Sequence, residues 1–359
     1  MIDHNRYLPA LTGIRALAAF WVLLYHLHPA LRLFFGPVPF ITPVIETGYQ
    51  GVDLFFVLSG FIIAHHYADG FKKLSWKTYR DYMVARIARI YPLHVFTLLM
   101  VLVMVMYAPS FGFIINRPVD YSRFDFIRNF FLIQSWQFPA HVSWNHFAWS
   151  ISAEWFAYVF APVFVAIIWA VQRRAALIVL AGLFLMITPL AVALIGDTRP
   201  SAYALFRIVG AFGAGMVANR IYRQFTPTID MSWIALGLLV VSAWIQFHVM
   251  GTIDFLTVPF SVLLIFTLAQ QRGRLAAILS NRVFDYCGRI SYALYLTQFV
   301  VWMPIKKILP FEKLAEQNTS IHMLYIISIC AMMFIAAIAA YHLIEEPARR
   351  YLRRKLLWN

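Results

Sequence analysis

Ten stretches of the chain are apolar for about the length of a bilayer crossing, and the polar residues gather between them. They run approximately over 9–28, 48–67, 91–108, 145–170, 175–195, 203–221, 232–249, 252–270, 287–305 and 321–344. About 20 apolar residues of α-helix span a hydrocarbon core of ~30 Å. The pattern therefore predicts an all-α, polytopic membrane helix bundle of about ten transmembrane helices. The first apolar run continues without a small-residue cleavage site, so it reads as an uncleaved span.

The charges between the spans alternate. Arg6, the even-numbered junctions and the C-terminus carry twenty basic residues, from Lys72, Lys73, Lys77, Arg80, Arg86 and Arg89 to the closing Arg349, Arg350, Arg353, Arg354 and Lys355. The opposite side carries eight: Arg32, Arg117, Arg123, Arg128, Arg199, Lys306, Lys307 and Lys313. Cytoplasmic loops are the basic ones, so both termini are expected in the cytoplasm, as an even number of spans requires. Composition agrees. Of 359 residues 62% are hydrophobic and 13% charged, against about 25% charged in soluble domains. The net charge of +14 is then explained by cytoplasmic loops, and no nucleic-acid partner is expected. Cys287 and Cys330 offer neither a disulfide framework nor metal-ligand spacing.

Ionisable groups inside spans cost roughly 2.5 kcal/mol or more at the bilayer centre, so they face a bundle interior or a wet cavity. Arg15 and His26 lie eleven residues apart in the first span. That is within ~20° of one helix face, with a rise of ~16 Å. The pair suggests a titratable imidazole above a fixed charge; the bland alternative is a snorkelling arginine and an interfacial histidine. Asp53, at the outer end of the second span, either pairs with His26 as an acid–base dyad or caps its helix. His65 and His66 fall at the inner interface, where solvation suffices. Arg86 and Arg89, three apart on one face, suit a polyphosphate or anionic lipid headgroups. Pro92 is expected at the start of the third span.

Glu154 sits within the fourth span as a candidate carboxylate. In the long external loop, residues 124–138 form an amphipathic piece, for the interface or for a cavity mouth. Trp136, Trp144 and Trp149 suit an interfacial belt or stacking on a sugar. Arg207 above the GAFGAG stretch is expected to be structural, its glycines allowing close helix contact. Ser291, Tyr292, Tyr295 and Gln298 follow one another along the ninth span. Glu345 and Glu346 read as a helix stop before Pro347.

Taken together, GIRALAAFWVLLYH, GVDLFFVLSGFII, ARIARIYPLH, WSISAEWFAY, GRISYALYLTQ and YHLIEEPARR resemble, in order, the motifs of the membrane-bound acyltransferase family 3, of the O-antigen and exopolysaccharide O-acetyltransferase type. The resemblance runs from about residue 7 to residue 353. It implies a bacterial inner-membrane enzyme, one integral-membrane domain over 1–359, moving an acyl group, usually acetyl, from cytoplasmic acetyl-CoA to a hydroxyl of a glycan or lipid-linked glycan. His26 is then the central catalytic residue with Arg15 its partner, and Asp53 and Glu154 fall in matched motifs. Arg86, Arg89 and Arg80 would serve the acyl-CoA end, and Tyr292, Tyr295, Gln298 and Trp149 the substrate. One departure stands out: many members carry His where this chain has Gln298, which cannot titrate. The chain ends soon after the tenth span, so the stand-alone form without an SGNH-type domain is expected. His26 either takes the acceptor proton directly or carries the acyl group itself; both stay open. The competing class is a transporter or exporter of a glycan or small molecule; a third is a catalytically dead relative.

Overall fold

The computed structural model describes residues 7–113, 118–196, 201–225, 229–249, 255–309 and 311–357. Arg6, Arg117, Arg199 and the first residues of the expected eighth span, 252–254, lie outside these. The described residues form α1 Pro9–Phe35, α2 Ile41–Glu46, α3 Gly51–Phe71, α4 Trp76–Tyr107, α5 Arg123–Phe130, α6 Trp149–Ala170, α7 Arg174–Ile195, α8 Ala204–Tyr222, α9 Ser232–His248, α10 Thr257–Leu268, α11 Gly273–Leu279, α12 Arg282–Ile308, α13 Phe311–Ala315, α14 Thr319–Ala340 and α15 Glu346–Leu357. No strand occurs among them.

Each expected span has its helix. Seven are long and apolar enough to cross a bilayer among the described residues, and α10 with α11 forms an eighth, broken by an 88° bend. The α9 helix is 17 residues long. Helix α12, 27 residues, is too rich in polar groups along its inner half to stand out by hydropathy; its polar face is buried in the bundle instead.

The protein is thus a multi-pass membrane helix bundle. Three of its long helices, α4, α12 and α14, start where a side chain satisfies orphan N–H groups of the first turn. Ser75 Oγ accepts from Thr78 N at 3.1 Å, Asn281 Oδ1 from Val283 N at 2.9 Å, and Asn318 Oδ1 from Ile321 N at 3.0 Å. The Ser75 cap corrects the expectation for Pro92. The third span does not begin there; α4 begins at Trp76 and carries Pro92 in its interior. Likewise Glu345 and Glu346 do not stop the last helix. The chain passes from α14 through a π turn, Tyr341–Glu345, straight into α15.

The centre of the bundle is α1, α3, α8 and α12. In α3 and α8, 72% of the apolar window is buried, against 11% in α7 and 22% for the α14–α15 unit. The two central helices touch backbone to backbone. A Cβ added at Gly60 would lie 2.0 Å from the Phe212 carbonyl oxygen, and one at Gly215 2.0 Å from that of Val57. Small residues at such crossings are how membrane helices approach closely, as the GAFGAG stretch leads one to expect. A Gly60→Ala chain is expected to lose about 1–3 kcal/mol or more by overpacking, read as a lower unfolding temperature in detergent. An unchanged melt would show that the crossing is looser than it looks.

The two ends of the chain meet at one end of α12. Tyr7 donates to Asp285, and Tyr286 Oη lies 3.0 Å from His342 Nε2. The charge rule leads one to expect that end on the cytoplasmic side.

Candidate active site

Helix α1 carries Arg15 in its inner half and His26 in its outer half, as their spacing requires. His26 Nδ1 is 3.1 Å from Gln298 Oε1 on α12. An amide oxygen only accepts, so Nδ1 carries the proton and Nε2 keeps its lone pair. The ring stacks on Phe147, centroids 3.8 Å apart and 18° from parallel. Phe147 belongs to a 3₁₀ turn, His146–Ala148, opened by Asn145 and leading into α6. Gln298 is fully buried, and its Nε2 has no hydrogen-bond partner. The residue that breaks the family pattern is therefore the one that holds the His26 ring by a hydrogen bond, without adding a charge.

Asp53 does not do this. Its carboxylate takes a bidentate pair from the fully buried Arg207, Nε–Oδ1 3.0 Å and Nη2–Oδ2 2.7 Å. Trp149 lies over the same guanidinium, 4.9 Å from its ring centroid. Two expectations are corrected here. Asp53 is not a dyad partner of His26, because a fixed guanidinium from α8 claims both its oxygens. Trp149 shields that pair and meets Phe56 edge to face rather than presenting its ring to a sugar. Trp136 and Trp144 are also occupied, donating to Ser152 O and Ser122 O at 3.0 Å each. They pin the external loop onto α6 and α5. The amphipathic piece of that loop becomes α5, docked on α4 by His94 Nε2 and Asn129 O at 2.7 Å.

Arg15, Glu154, Tyr292 and Tyr295 do converge. With Ser150 and Ser291 they line an inner cavity of about 40 Å³, room for water and little more. Arg15 Nε has no hydrogen-bond partner. Glu154 accepts from Ser59 Oγ and, at 2.5 Å, from Tyr158 Oη. Both substrate-candidate tyrosines are tied to backbone. Tyr292 Oη donates to Ile90 O at 2.5 Å, and Tyr295 Oη donates to Phe147 O at 2.9 Å and meets Ser150 Oγ at 2.7 Å.

Arg86 and Arg89 stand beside this cavity. Arg86 sits among the rings of Tyr67, Tyr82 and Tyr158, 5.4–5.8 Å from each centroid. Arg89 pairs with Glu345 and lies 5.6 Å from the Tyr292 centroid. The π turn before α15 delivers Glu345, and wide turns of this kind are frequent at functional sites. Arg80 is elsewhere, exposed and bonded to its neighbour Asp81 at 3.0 Å. Three guanidinium groups, Arg15, Arg86 and Arg89, thus share the inner half with two carboxylates, Glu154 and Glu345.

His26 opens on the other side, into an outer cavity of about 650 Å³ bounded by the outer ends of α4 and α12 and by the 118–147 loop. The expected single passage is divided. Arg15 lines the inner cavity and His26 the outer one, and Phe147, Ser150 and Tyr295 stand between them. Sequence reasoning missed Phe147, Ser59 and Glu345. Phe147 carries no signal in a chain this aromatic. Glu345 had one, an acid at the end of an apolar span, but proximity to Pro347 offered a simpler reading.

His26 on the outer cavity thus stands apart from a buried inner cluster in which guanidinium groups outnumber carboxylates. The sequence profile of the acyltransferase family 3 domain, described as "Acyltransferase domain", matches residues 8–342. This chain belongs to that family. It is 24% identical to the peptidoglycan O-acetyltransferase OatA of Listeria monocytogenes, over 96% of this chain and 56% of that protein. It is 25% identical to the putative peptidoglycan O-acetyltransferase YrhL of Bacillus subtilis, over 97% and 56%. To a putative O-acetyltransferase of Staphylococcus aureus it is 24% identical, over 99% and 59%. The chain spans somewhat more than half the length of these relatives. No solved structure matches it.

Proposed function

We propose that this protein is an O-acetyltransferase that moves an acetyl group from cytoplasmic acetyl-CoA to a hydroxyl of a glycan at the outer face of the membrane. The observation that carries the reading is the hydrogen bond from His26 Nδ1 to Gln298 Oε1, which leaves Nε2 as a base on the outer cavity. The relatives' names support the acetyl group, and peptidoglycan is the acceptor two of them name.

In this reading His26 Nε2 accepts the proton of the acceptor hydroxyl as its oxygen attacks the thioester carbonyl. The carbon–sulfur bond breaks, and the imidazolium returns the proton to the departing CoA sulfur. Gln298, fully buried, holds the His26 ring from behind the cavity wall. Arg15 does not reach that carbonyl, since eleven residues of helix place it ~16 Å lower along the axis. It belongs to the donor's path instead. The excess guanidinium among Arg15, Arg86 and Arg89 favours an anionic donor, with Glu345 giving up Arg89 as phosphate arrives. Because the inner cavity is small, the pantetheine arm passes only when Phe147 and Tyr295 part. Asp53, Trp149 and Arg207 hold α3, α6 and α8 together around this machinery.

The test is proteoliposomes holding the purified chain and supplied with acetyl-CoA labelled in the acetyl group. Transfer of label to an outer glycan with matching release of free CoA thiol is expected. Label recovered on the protein histidine without acceptor would replace direct attack with an acyl-enzyme. Intact acetyl-CoA with every glycan offered would remove the proposal.

A further inference from the structure

Three cations meet on one buried tryptophan where α3, α6 and α8 end. Trp169, the second-last residue of α6, is 8% exposed. Its ring centroid lies 5.4 Å from the Arg220 guanidinium carbon, 5.7 Å from that of Arg223 and 6.0 Å from Lys72 Nζ. Cations at helix C-termini are ordinary, because the last carbonyls attract them. Arg223 is explained in this way. It donates to the carbonyls of Ala64 and His65 at 2.8 Å each, to Asn219 Oδ1 at 3.0 Å and to Asp69 Oδ2 at 2.7 Å.

The other two are not used up so. Asp69 also takes Lys72 Nζ at 2.7 Å, so a single carboxylate is shared by two of the three cations. Arg220 meets Gln172 Oε1 at 3.5 Å, and its Nε has no hydrogen-bond partner. Trp169 Nε1 has none either. Arg173 and Arg174, both exposed, follow four and five residues after Trp169. Surplus positive charge beside two donors that lack acceptors suits an anion with several oxygens.

The surroundings say what the anion is attached to. Ile167 on α6 is 51% exposed, Ile178 on α7 64% and Phe225, under the Arg174 guanidinium at 5.9 Å, 50%. A soluble phosphate leaves these apolar side chains as they are, whereas a phospholipid covers them with its acyl chains. The charge rule expects these helix ends at the cytoplasmic surface, the height of a headgroup, and basic sites between helices on that side hold anionic lipids. Coenzyme A also carries phosphates, but the donor cluster is elsewhere. Tyr158, whose ring lies 5.6 Å from Arg86, comes eleven residues before Trp169 on α6, ~16 Å away along the axis.

We propose that an anionic phospholipid of the cytoplasmic leaflet binds here, its phosphate between Lys72 and Arg220 over the Trp169 ring and its acyl chains against α7. The lipid joins the ends of α3, α6 and α8, the helices that carry Asp53, Glu154 and Arg207. The site is independent of the acetyl transfer proposed above.

The purified chain in neutral detergent is titrated with radiolabelled phosphatidylglycerol. Competitors are unlabelled phosphatidylglycerol, phosphatidylcholine with the same acyl chains, glycerol 3-phosphate and coenzyme A. Saturable binding is expected, weakened at least about tenfold in the Lys72→Gln/Arg220→Gln chain by loss of charge-assisted contacts. Phosphatidylcholine and glycerol 3-phosphate should each compete at least about tenfold less well than the unlabelled lipid. Gel filtration and melting show whether the double variant is folded. If it is not, Lys72→Gln alone, at an exposed position, decides, with at least about threefold weaker binding expected. Binding equal to the parent's in the deciding variant overturns the proposal. So does phosphatidylcholine or glycerol 3-phosphate competing as well as phosphatidylglycerol. Displacement by coenzyme A at lower concentration than by the unlabelled lipid would assign the cluster to the donor instead, and also overturns it.

Discussion

A His26→Ala chain should insert, fold and melt as the parent does, yet transfer acetyl groups ~10²–10⁴-fold more slowly, the usual contribution of a positioned general base. The fold is expected to survive because His26 is half-buried at a cavity wall and makes one side-chain hydrogen bond. The measurement is acetyl transfer in proteoliposomes alongside a melting curve. A His26→Gln chain separates shape from chemistry. It keeps a polar group against Gln298 but cannot take up a proton, so it should be as slow as the alanine variant. Activity near the parent's in either chain would move the base elsewhere, with His146, which lines the same outer cavity, the next residue to change.

The second large effect concerns stability. Asp53→Ala leaves the Arg207 guanidinium in the middle of the bundle without its carboxylate. Removing one partner of a buried ion pair costs about 3–5 kcal/mol, while replacing both by apolar groups of similar volume is often neutral. Asp53→Ala should therefore lower the unfolding temperature and the yield of folded protein sharply. Asp53→Leu combined with Arg207→Met should recover most of the loss. Thermal unfolding in one detergent at one pH gives the comparison. Recovery of both stability and transfer in the double variant would establish that Asp53 holds helices and takes no part in proton transfer. If the double variant regains its stability but stays inactive, Asp53 has a chemical role that the geometry does not reveal.

Much of this molecule is legible in the pattern of apolar stretches. Among the described residues seven of them are helices long and apolar enough to cross a bilayer and an eighth is a pair broken by an 88° bend, in keeping with the need for hydrogen-bonded backbone in lipid. The helix start at Ser75 was less accessible. The segment from Trp76 to Ile90 is basic, and hydropathy cannot tell a basic loop from the cytoplasmic end of a long helix. Arg15, His26, Glu154, Tyr292, Tyr295 and Gln298 could be singled out because polar groups in spans need a reason to be there. Which of them meet could not be read, since helix neighbours are set by packing between distant segments. Asp53 shows the limit. Its depth matches that of His26, but its partner is chosen by rotation about the α3 axis, and α8 is the neighbour it faces. Glu345 shows another. Sequence spacing assumes regular turns, and a single π turn changes which side chain meets Arg89.

The low burial of α7 has a bearing on how this chain can change. Only 11% of its apolar window is covered by protein, and Ile178, Leu183 and Leu194 are each more than 60% exposed. For such positions lipid is the neighbour, and lipid does not distinguish leucine from isoleucine or valine. Drift among aliphatic residues there should pass without consequence, whereas one lysine at mid-span would cost about 2.5–3.5 kcal/mol. In the α3–α8 crossing even a methyl group is too much. A collection of functional variants should accordingly scatter freely along one flank of the bundle and fall silent along its axis.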